Sequence, residues 1–234
     1  MWLITEFEGA SLFSLKMSSA TSSGGKTLLV PTPFAVKMAL LDAAFRARGA
    51  DEAERLWEKI CALQIALRPS ARVVVTNLFQ KVLRPRGKQA ALEGTDAGPF
   101  QKTIGYREYA QWVGALGIGF QVENQRAGEW LIELLLNVNY LGKRGGFVQW
   151  LPPGRWEESL PSDFVEATRE QQEFSLNGTL QVLDDSAAGL DFGRVNIYDA
   201  SPLRKQDRVL RQIVLANFRM TRSSKSFSLY ERVE

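Results

Sequence analysis

The sequence predicts an α+β protein, and three observations support this fold class. The 234 residues are 45% apolar and 24% charged, which is the balance of a globular chain that can bury a core. Over Met1 to Leu151 the residue patterns follow the order strand, helix, strand, strand, helix, strand, and from residue 152 onward they are mostly strand-like. The first order is that of a ferredoxin-like, or RNA-recognition, sheet. We therefore expect such a domain over 1–151 and a β-rich C-terminal extension or degenerate second domain over 152–234.

The chain begins with a strand and continues into a well-marked helix. Met1 to Met17 alternates apolar and polar residues, which predicts one strand or a bent pair. Thr32 is a helix N-cap, proline follows at the first helical position, and Gly49 ends the helix. Its apolar face is formed by Phe34, Met38, Leu41 and Phe45.

A second helix follows directly and is counted as an extension of the first. Asp51 and Glu54 form a start that resembles a capping box, and Pro69 ends the helix. Its apolar stripe consists of Leu56, Ile60, Leu63 and Leu67.

The two middle strands flank a segment of different composition. Arg72–Leu83 and the run Ala110–Val122 have strong strand propensity. Residues 84–105 between them are rich in glycine, proline and basic side chains, and they hold too little apolar surface to pack inside, so we expect an extended basic arm. Asn124 then begins a third helix that runs to about Val138, and a strand follows over Phe147–Leu151.

The C-terminal part predicts strands joined by turns. The expected strands are Leu176–Leu183, Gly193–Tyr198, Val209–Met220 and Ser226–Val233. Asp184, Asp185 and Asp191 lie in the turn-like run DDSAAGLD. We interpret this run as a solvated hairpin turn in preference to a metal site or an acid–base pair.

The composition removes several classes of site. Histidine is absent, so the commonest general base and the usual ligand of zinc or iron are missing, and Cys61 is the single cysteine. We therefore predict no catalytic residue, no metal and no cofactor. No apolar stretch approaches the roughly 20 residues that cross a bilayer, and the N-terminus lacks the features of an export signal. These observations predict a cytoplasmic protein with no membrane partner.

Positive charge is concentrated in two stretches. The net charge is +3 and the sequence pI is about 9.0, but residues 151–193 are acidic and the rest of the chain is basic. The basic stretches are Lys81–Arg107 and Arg204–Lys225. A surface of this kind attracts polyanions, although a solvated basic face is an equally ordinary interpretation of either stretch alone.

Two glycine-containing loops carry groups that bind phosphate. The run SSATSSGGK at 18–26 combines hydroxyls, glycine amides and Lys26, and alone it is more typical of a solvated loop. The second loop, which we call the glycine-rich turn, consists of Gly142, Lys143, Arg144, Gly145 and Gly146. Its glycines let backbone amides approach a ligand closely, and its two adjacent cations can neutralise a phosphate.

Two segments are distinctive, namely PTPFAVKMALLDAAF at Pro31–Phe45 and NYLGKRGGFVQW at Asn139–Trp150. They resemble the corresponding segments of the RAMP proteins of CRISPR systems, in particular the small subunit that caps the 5′ handle of the crRNA in type I Cascade complexes. The basic arm lies where that subunit carries a thumb, and the C-terminal part is similarly rich in strands. The resemblance spans most of residues 1–151 as an order of elements and implies a ferredoxin-like RAMP domain with a thumb-like arm.

The resemblance implies a non-catalytic crRNA-binding subunit. Such a subunit caps the 5′ handle, ends the filament of backbone RAMP subunits and joins it to the large subunit for RNA-guided DNA targeting, so that target DNA is an indirect partner. The glycine-rich turn and the start of the first helix would face the handle, with the helix N-terminus favouring phosphate, and the arm would fold over the first spacer nucleotides. The predicted RNA-binding residues are Ser22, Ser23, Lys26, Thr32, Lys37, Arg84, Arg86, Lys88, Lys102, Arg107, Gly142, Lys143, Arg144, Gly145 and Gly146.

Three alternatives stay open. Some relatives cut precursor RNA without metal, and in such an endoribonuclease Lys102, Tyr106 and Tyr109 would supply acid–base groups, which requires large shifts from pKa values of about 10. The second alternative is a backbone RAMP subunit of the same complex, which polymerises along RNA. The third is an unrelated two-domain interaction protein whose basic clusters face solvent.

Overall fold

A central antiparallel sheet carries the first half of the chain. The computed structural model describes residues 1–17, 24–85, 100–172, 174–198 and 203–233. Four strands of the sheet lie in the order β7, β1, β6, β3 and are connected through three helices. The strands are β1 (Trp2–Gly9), β3 (Gln64–Arg68), β6 (Leu116–Gln121) and β7 (Val148–Trp150), and the helices are α1 (Pro33–Arg48), α2 (Ala50–Ala62) and α3 (Gln125–Asn137). This is the ferredoxin-like order, and the predicted α+β fold class is confirmed.

Helix α1 begins and ends where its sequence predicts. The Thr32 hydroxyl accepts a hydrogen bond from the Ala35 N–H at 3.1 Å, with Pro33 at the first helical position. Gly49 ends the helix with a φ of 85°, a conformation that favours glycine. The helix is buried on nearly every side between the sheet and the C-terminal part, and the predicted apolar face (Phe34, Met38, Leu41, Phe45) packs in the core.

The second helix is shorter than predicted. It ends at Ala62, and Leu63 and Leu67 are not helical, because Gln64–Arg68 pairs with β6 as the second strand of the ferredoxin order. Ile65, Ala66 and Leu67 are all fully buried, since helices cover one face of the sheet and Phe164 covers the other. A strand buried on both faces has no apolar–polar alternation, so its sequence resembles a continuation of the helix.

A second sheet contains the two ends of the predicted arm, whereas residues 86–99 of that arm lie outside the described residues. Below, the arm denotes the described residues 78–85 and 100–107 at these ends. The strand order of this sheet is β12, β13, β4, β5, β2. The predicted strand Arg72–Leu83 exists, but it belongs to this sheet and not to the central one, and the predicted run Ala110–Val122 divides between β5 and β6 at Gly114, whose φ is 92°. The strands are β2 (Gly24–Gly25), β4 (Arg72–Pro85), β5 (Phe100–Val113), β12 (Phe218–Ser223) and β13 (Phe227–Arg232).

The C-terminal strands extend both sheets. β8 (Arg155–Glu157) pairs with β1 and β9 (Val165–Glu166) pairs with β3, while β10 (Gly178–Ser186) and β11 (Arg208–Ala216) form a separate ribbon against α1. The predicted strand over Gly193–Tyr198 is wrong, because Asp191 caps a short helix, α4 (Phe192–Val195), by accepting a hydrogen bond from the Gly193 N–H. The predicted strand Val209–Met220 is interrupted at Asn217, which has a φ of 52°. The predicted domain boundary at 151/152 stays a prediction.

Two of the three aspartates in the acidic run lie in a strand and not in a solvated turn. Asp184 and Asp185 lie in β10, and Asp185 is buried. Asp184 pairs with Arg208 at 2.8 Å, and Asp185 pairs with Lys37 and Arg211. The expectation of a solvated hairpin turn is therefore wrong for Asp184 and Asp185, because a long-range cation neutralises each carboxylate and allows the strand to extend through both. Asp191 is exposed and follows a turn at residues 188–189.

Candidate nucleic-acid interface

The glycine-rich turn projects two cations from a closed backbone loop. The Leu141 N–H donates to the Gly146 carbonyl and the Gly146 N–H donates to the Lys143 carbonyl, each at 3.0 Å. Gly142 and Gly145 have φ values of 73° and 102°, which favour glycine. A Cβ on Gly142 would meet Leu15 at 3.1 Å, whereas one on Gly145 would meet nothing within 4 Å. The turn is thus packed on one side and open on the other, where Lys143 and Arg144 are exposed.

Hydrogen bonds fasten this turn to the end of β1. The Ser11 hydroxyl donates to the Gly145 carbonyl and accepts from the Phe147 N–H at 2.8 Å. The Ala10 N–H donates to the Phe147 carbonyl at 2.9 Å. These interactions join parts of the chain more than 130 residues apart, so the position of the turn depends on the neighbouring strands β1 and β7.

The segment after β1 brings two more cations beside the turn. The side chain of Leu15 lies against Gly142, and the Leu15 carbonyl accepts a hydrogen bond from the Leu28 N–H at 2.9 Å. Lys16 and Thr27 form an antiparallel backbone bridge. Lys16 and Lys26 are both exposed. Lys16 was not among the predicted site residues, although its position between an apolar run and a Ser/Gly loop was a usable signal. Among the residues that the structure describes, Lys16, Lys26, Lys143 and Arg144 form no ion pair.

Strand β5 connects this group of cations to the arm. The Thr27 N–H donates to the Glu108 carboxylate at 3.0 Å, and Gly24 and Gly25 pair with Tyr106 and Arg107. By cross-strand register, the face of the arm that continues the core carries Phe79, Lys81, Leu83, Lys102, Ile104 and Tyr106. Phe79 and Ile104 are 71% and 69% exposed, and the Phe79 and Tyr106 rings lie 5.1 Å apart. A partly exposed aromatic pair, with Lys81 and Lys102 further along the same face, suits a nucleobase or a protein partner.

Among the acid–base groups considered for an endoribonuclease, Tyr106 has a pKa that is shifted away from neutral pH. Burial and the charge of Glu108 raise the pKa of Tyr106, and burial and Asp42 raise the pKa of Tyr140 beside the glycine-rich turn. Both phenols therefore stay protonated at neutral pH and serve as hydrogen-bond donors. This state disfavours either tyrosine as a general base.

Two predicted RNA contacts have partners inside the protein. Thr32 is buried, and its hydroxyl caps α1. Lys37 is 2% exposed, and its Nζ donates to Asp185 at 2.7 Å and to the Ser186 hydroxyl at 3.1 Å. Arg211 approaches the second oxygen of Asp185 at 3.3 Å. The geometry of these residues favours a structural role, in which Lys37 ties α1 to the β10–β11 ribbon.

The remaining predicted residues divide into three groups. Lys102 lies on the arm face described above, and Arg107 lies on the opposite face of the same strand, since its register partner is Leu78. The backbone of Arg84 is in β4. Four positions fall outside the described residues, namely Ser22, Ser23, Arg86 and Lys88. The structure therefore brings together Lys26, the glycine-rich turn and the base of the arm. Thr32 and Lys37 are buried in contacts within the protein, although Ala35 of the first turn of α1 lies next to Gly142 of the glycine-rich turn.

The described ranges show neither a metal cluster nor a membrane span. No group of three or more cysteine and carboxylate side chains there has the arrangement of a metal site. None of the helices in these ranges is long and apolar enough to span a bilayer.

Sequence comparison gives one curated relative. The CRISPR-associated protein Cas5 of Archaeoglobus fulgidus is 27% identical over 109 residues. The match covers 46% of this chain and 46% of that protein, so the chain matches less than half the length of this relative. No protein-family model matches the chain.

One solved structure shares the fold, and a second is similar over most of the chain. A CRISPR protein from Archaeoglobus fulgidus aligns over 100% of this chain and 92% of its own, with a TM-score of 0.50 and 14% identity. A chain of a CRISPR RNA-guided surveillance complex aligns over 92% of this chain and 90% of its own, with a TM-score of 0.44 and 16% identity.

Proposed function

We propose that this chain, which is a RAMP-like CRISPR-associated protein, is a non-catalytic RNA-binding subunit of a CRISPR effector complex and holds the 5′ handle of the crRNA. The observation that carries the proposal is the placement of exposed cations, which form no ion pair among the described residues, around an open glycine-rich turn. Lys16, Lys26, Lys143 and Arg144 come from three separate parts of the chain, and the paired segments that hold Lys16 and Lys26 lie next to the turn through Leu15. This combination binds a phosphodiester backbone.

The geometry favours a bent RNA end over a regular duplex. Gly145 leaves the backbone open to close approach, while Ser11 and Leu15 hold the turn against the body of the protein. A preformed loop with several cations around it matches closely spaced phosphates of a folded single strand. The family resemblance implies that this RNA is the 5′ handle of a crRNA.

The arm extends the proposed function to protein partners. Phe79, Leu83 and Ile104 are exposed on the paired ends of β4 and β5, beside Lys81 and Lys102. We assign this face to the first spacer nucleotides and to a neighbouring backbone subunit, with the large subunit bound elsewhere and target DNA reached through it. Apolar side chains left exposed in this number are typical of a surface that another molecule covers.

A binding titration tests the handle site. Full-length protein is titrated with RNA that carries the repeat-derived 5′ handle of the same locus, and with a scrambled RNA, at several salt concentrations on gels that also report cleavage. We expect preference for the handle and intact RNA. Lys143→Ala/Arg144→Ala should weaken binding and flatten the dependence of log K on log salt by about 1.4, since each phosphate that is no longer neutralised lowers the slope by about 0.7.

A matched control carries the same charge change at the other end of β1. Lys59 and Arg126 are exposed near Met1, whereas β7 and the glycine-rich turn lie at the Gly9 end, about 25 Å away. Lys59→Ala/Arg126→Ala should leave the handle preference unchanged and the salt slope nearly so. Equal effects of the two double variants would show that only net charge matters, and cleavage at one phosphodiester would replace the binding role with a nuclease role.

A further inference from the structure

The second sheet has an outer face that no described element covers. Val73, Val75 and Trp112 point into the core, so the side chains that alternate with them point away from it. Val74, Thr76 and Leu78 of β4 are correspondingly half-buried or exposed. We call this side, which runs across β5, β4, β13 and β12, the outer sheet face.

Two aromatic rings lie in one row of the outer sheet face. Thr76 pairs with Tyr109 on one side and with Phe227 on the other, so the three side chains point in the same direction. The two rings are separated by two strand spacings, about 10 Å. Phe227 is 38% exposed, and within the described residues neither ring stacks on another aromatic side chain. The row therefore presents two ring surfaces that another planar group can occupy.

The same face is positively charged. Arg72, Arg107, Arg219 and Arg222 occupy its register positions and are exposed, and none of them has an ion-pair partner among the described residues. Glu231 is the one carboxylate at these positions, and it accepts a hydrogen bond from Thr221 at 2.7 Å. Four arginines against one glutamate favour a polyanion as the occupant.

We propose that the outer sheet face binds a single-stranded segment of RNA. Unpaired bases stack on the rings of Tyr109 and Phe227, and Arg107 and Arg222, which flank these rings along β5 and beside β13, contact phosphates. A flat sheet with separated rings can be reached by splayed bases but not by the stacked bases of a duplex. An acidic protein partner would neutralise the arginines, but it would not explain why two aromatic rings lie unstacked in one row.

The choice of RNA rests on the proposed function. Arg107 pairs in the backbone with Gly25, which is next to Lys26 of the handle site, so the edge of β5 connects the two surfaces. A strand leaving the glycine-rich turn past Lys26 reaches the outer sheet face across this edge. The face is nevertheless separate from the glycine-rich turn in its residues, which allows independent tests.

The probe is a short fluorescent oligouridylate, which carries no handle sequence and no structure. Tyr109→Ala and Phe227→Ala are each expected to weaken its binding to the full-length protein about tenfold. Tyr109→Phe keeps the ring and should bind as the unmodified protein does. Tyr198→Ala removes an exposed ring that packs beside Phe45, away from this sheet, and should also leave binding unchanged.

Each outcome decides between the two surfaces. Loss of oligouridylate binding in the Tyr109 and Phe227 variants supports the outer sheet face even if handle preference is never found, and in that case only the proposed function fails. Unchanged binding in Tyr109→Ala overturns the inference even if the Lys143/Arg144 variant loses the handle. Equal losses with oligothymidylate overturn the choice of RNA. If Phe227→Ala unfolds, Arg222→Gln replaces it, with an expected decrease in the salt slope of about 0.7.

Discussion

Replacement of Lys37 by methionine separates a structural role from an RNA contact. The Lys37 and Asp185 side chains are 3% and 6% exposed, and their charged atoms lie 2.7 Å apart. Removing one member of a buried pair leaves the other charge in a medium that solvates it poorly, which destabilises a protein by about 3–5 kcal/mol. Arg211 still lies 3.3 Å from the Asp185 carboxylate. We therefore expect Lys37→Met to decrease the free energy of unfolding by about 3 kcal/mol, near the lower end of this range.

The opposite substitution is more damaging. Asp185→Leu leaves the cations of Lys37 and Arg211 near each other without the carboxylate that neutralises them. The decrease in the free energy of unfolding should therefore approach the upper end of that range, about 5 kcal/mol. In the double variant Lys37→Met/Asp185→Leu, the decrease in stability should fall short of the sum of the two single decreases by about 1–3 kcal/mol, because the two groups are in direct contact.

Urea unfolding followed by tryptophan fluorescence measures these differences, with handle binding measured in parallel under native conditions. We expect Lys37→Met to lower the urea midpoint and to leave the affinity of the folded protein for RNA unchanged. A decrease in stability below about 1 kcal/mol, the value of an exposed pair, together with weaker RNA binding, would refute the structural role and restore Lys37 to the RNA site.

Three further predictions follow from the helix cap, the glycine-rich turn and a half-buried tyrosine. Thr32→Ala should lower the free energy of unfolding by about 1 kcal/mol with no change in RNA affinity; a change in affinity at constant stability contradicts it. Gly142→Ala and Gly145→Ala each strain a positive φ by about 1–3 kcal/mol, but only the methyl at 142 meets Leu15 at 3.1 Å, so equal decreases in stability would contradict the packing argument. Burial and Asp42 raise the pKa of Tyr140, so its stabilising contribution is present below the ordinary pKa of 10.0 and is lost as pH rises through the higher value of the folded state. Tyr140→Phe should therefore flatten the decrease in melting temperature above pH 10.0, and parallel curves would be the contrary result.

Local signals in the sequence were sufficient for the elements with caps and breakers. Thr32 and Pro33 define the start of α1 and Gly49 defines its end, each through contacts with residues a few positions away. Asn124 caps α3 by accepting a hydrogen bond from the Ala127 N–H at 2.9 Å. These interactions are local, so composition and spacing carry them. The same is true of the glycine-rich turn, whose conformation depends on its own glycines.

Strands and ion pairs that depend on residues far away in the sequence could not be predicted in the same way. β3 has the sequence QIALR, and its strand conformation comes from hydrogen bonds to β6, some 50 residues later. Lys37 lies among apolar residues in a helix, and nothing near it in sequence indicates that Asp185, 148 positions away, will neutralise its charge. A helix N-terminus is a general anion site, which is why Thr32 and Lys37 are predicted to bind RNA, whereas tertiary packing closes that end of α1.

The topology explains why cations from separate segments meet at one place. In the ferredoxin-like order β7 lies beside β1, so the residues that follow β1 and the turn that precedes β7 must emerge at the same edge of the sheet. Ser11 and Leu15 then fix the turn from one side, and the pairing of Lys16 with Thr27 carries the chain on to β5 and the arm. A basic surface formed by pairing in this way needs no basic run in the sequence. Total charge and charge clusters are therefore weak predictors of where the proposed RNA site lies, and strand order is the stronger one.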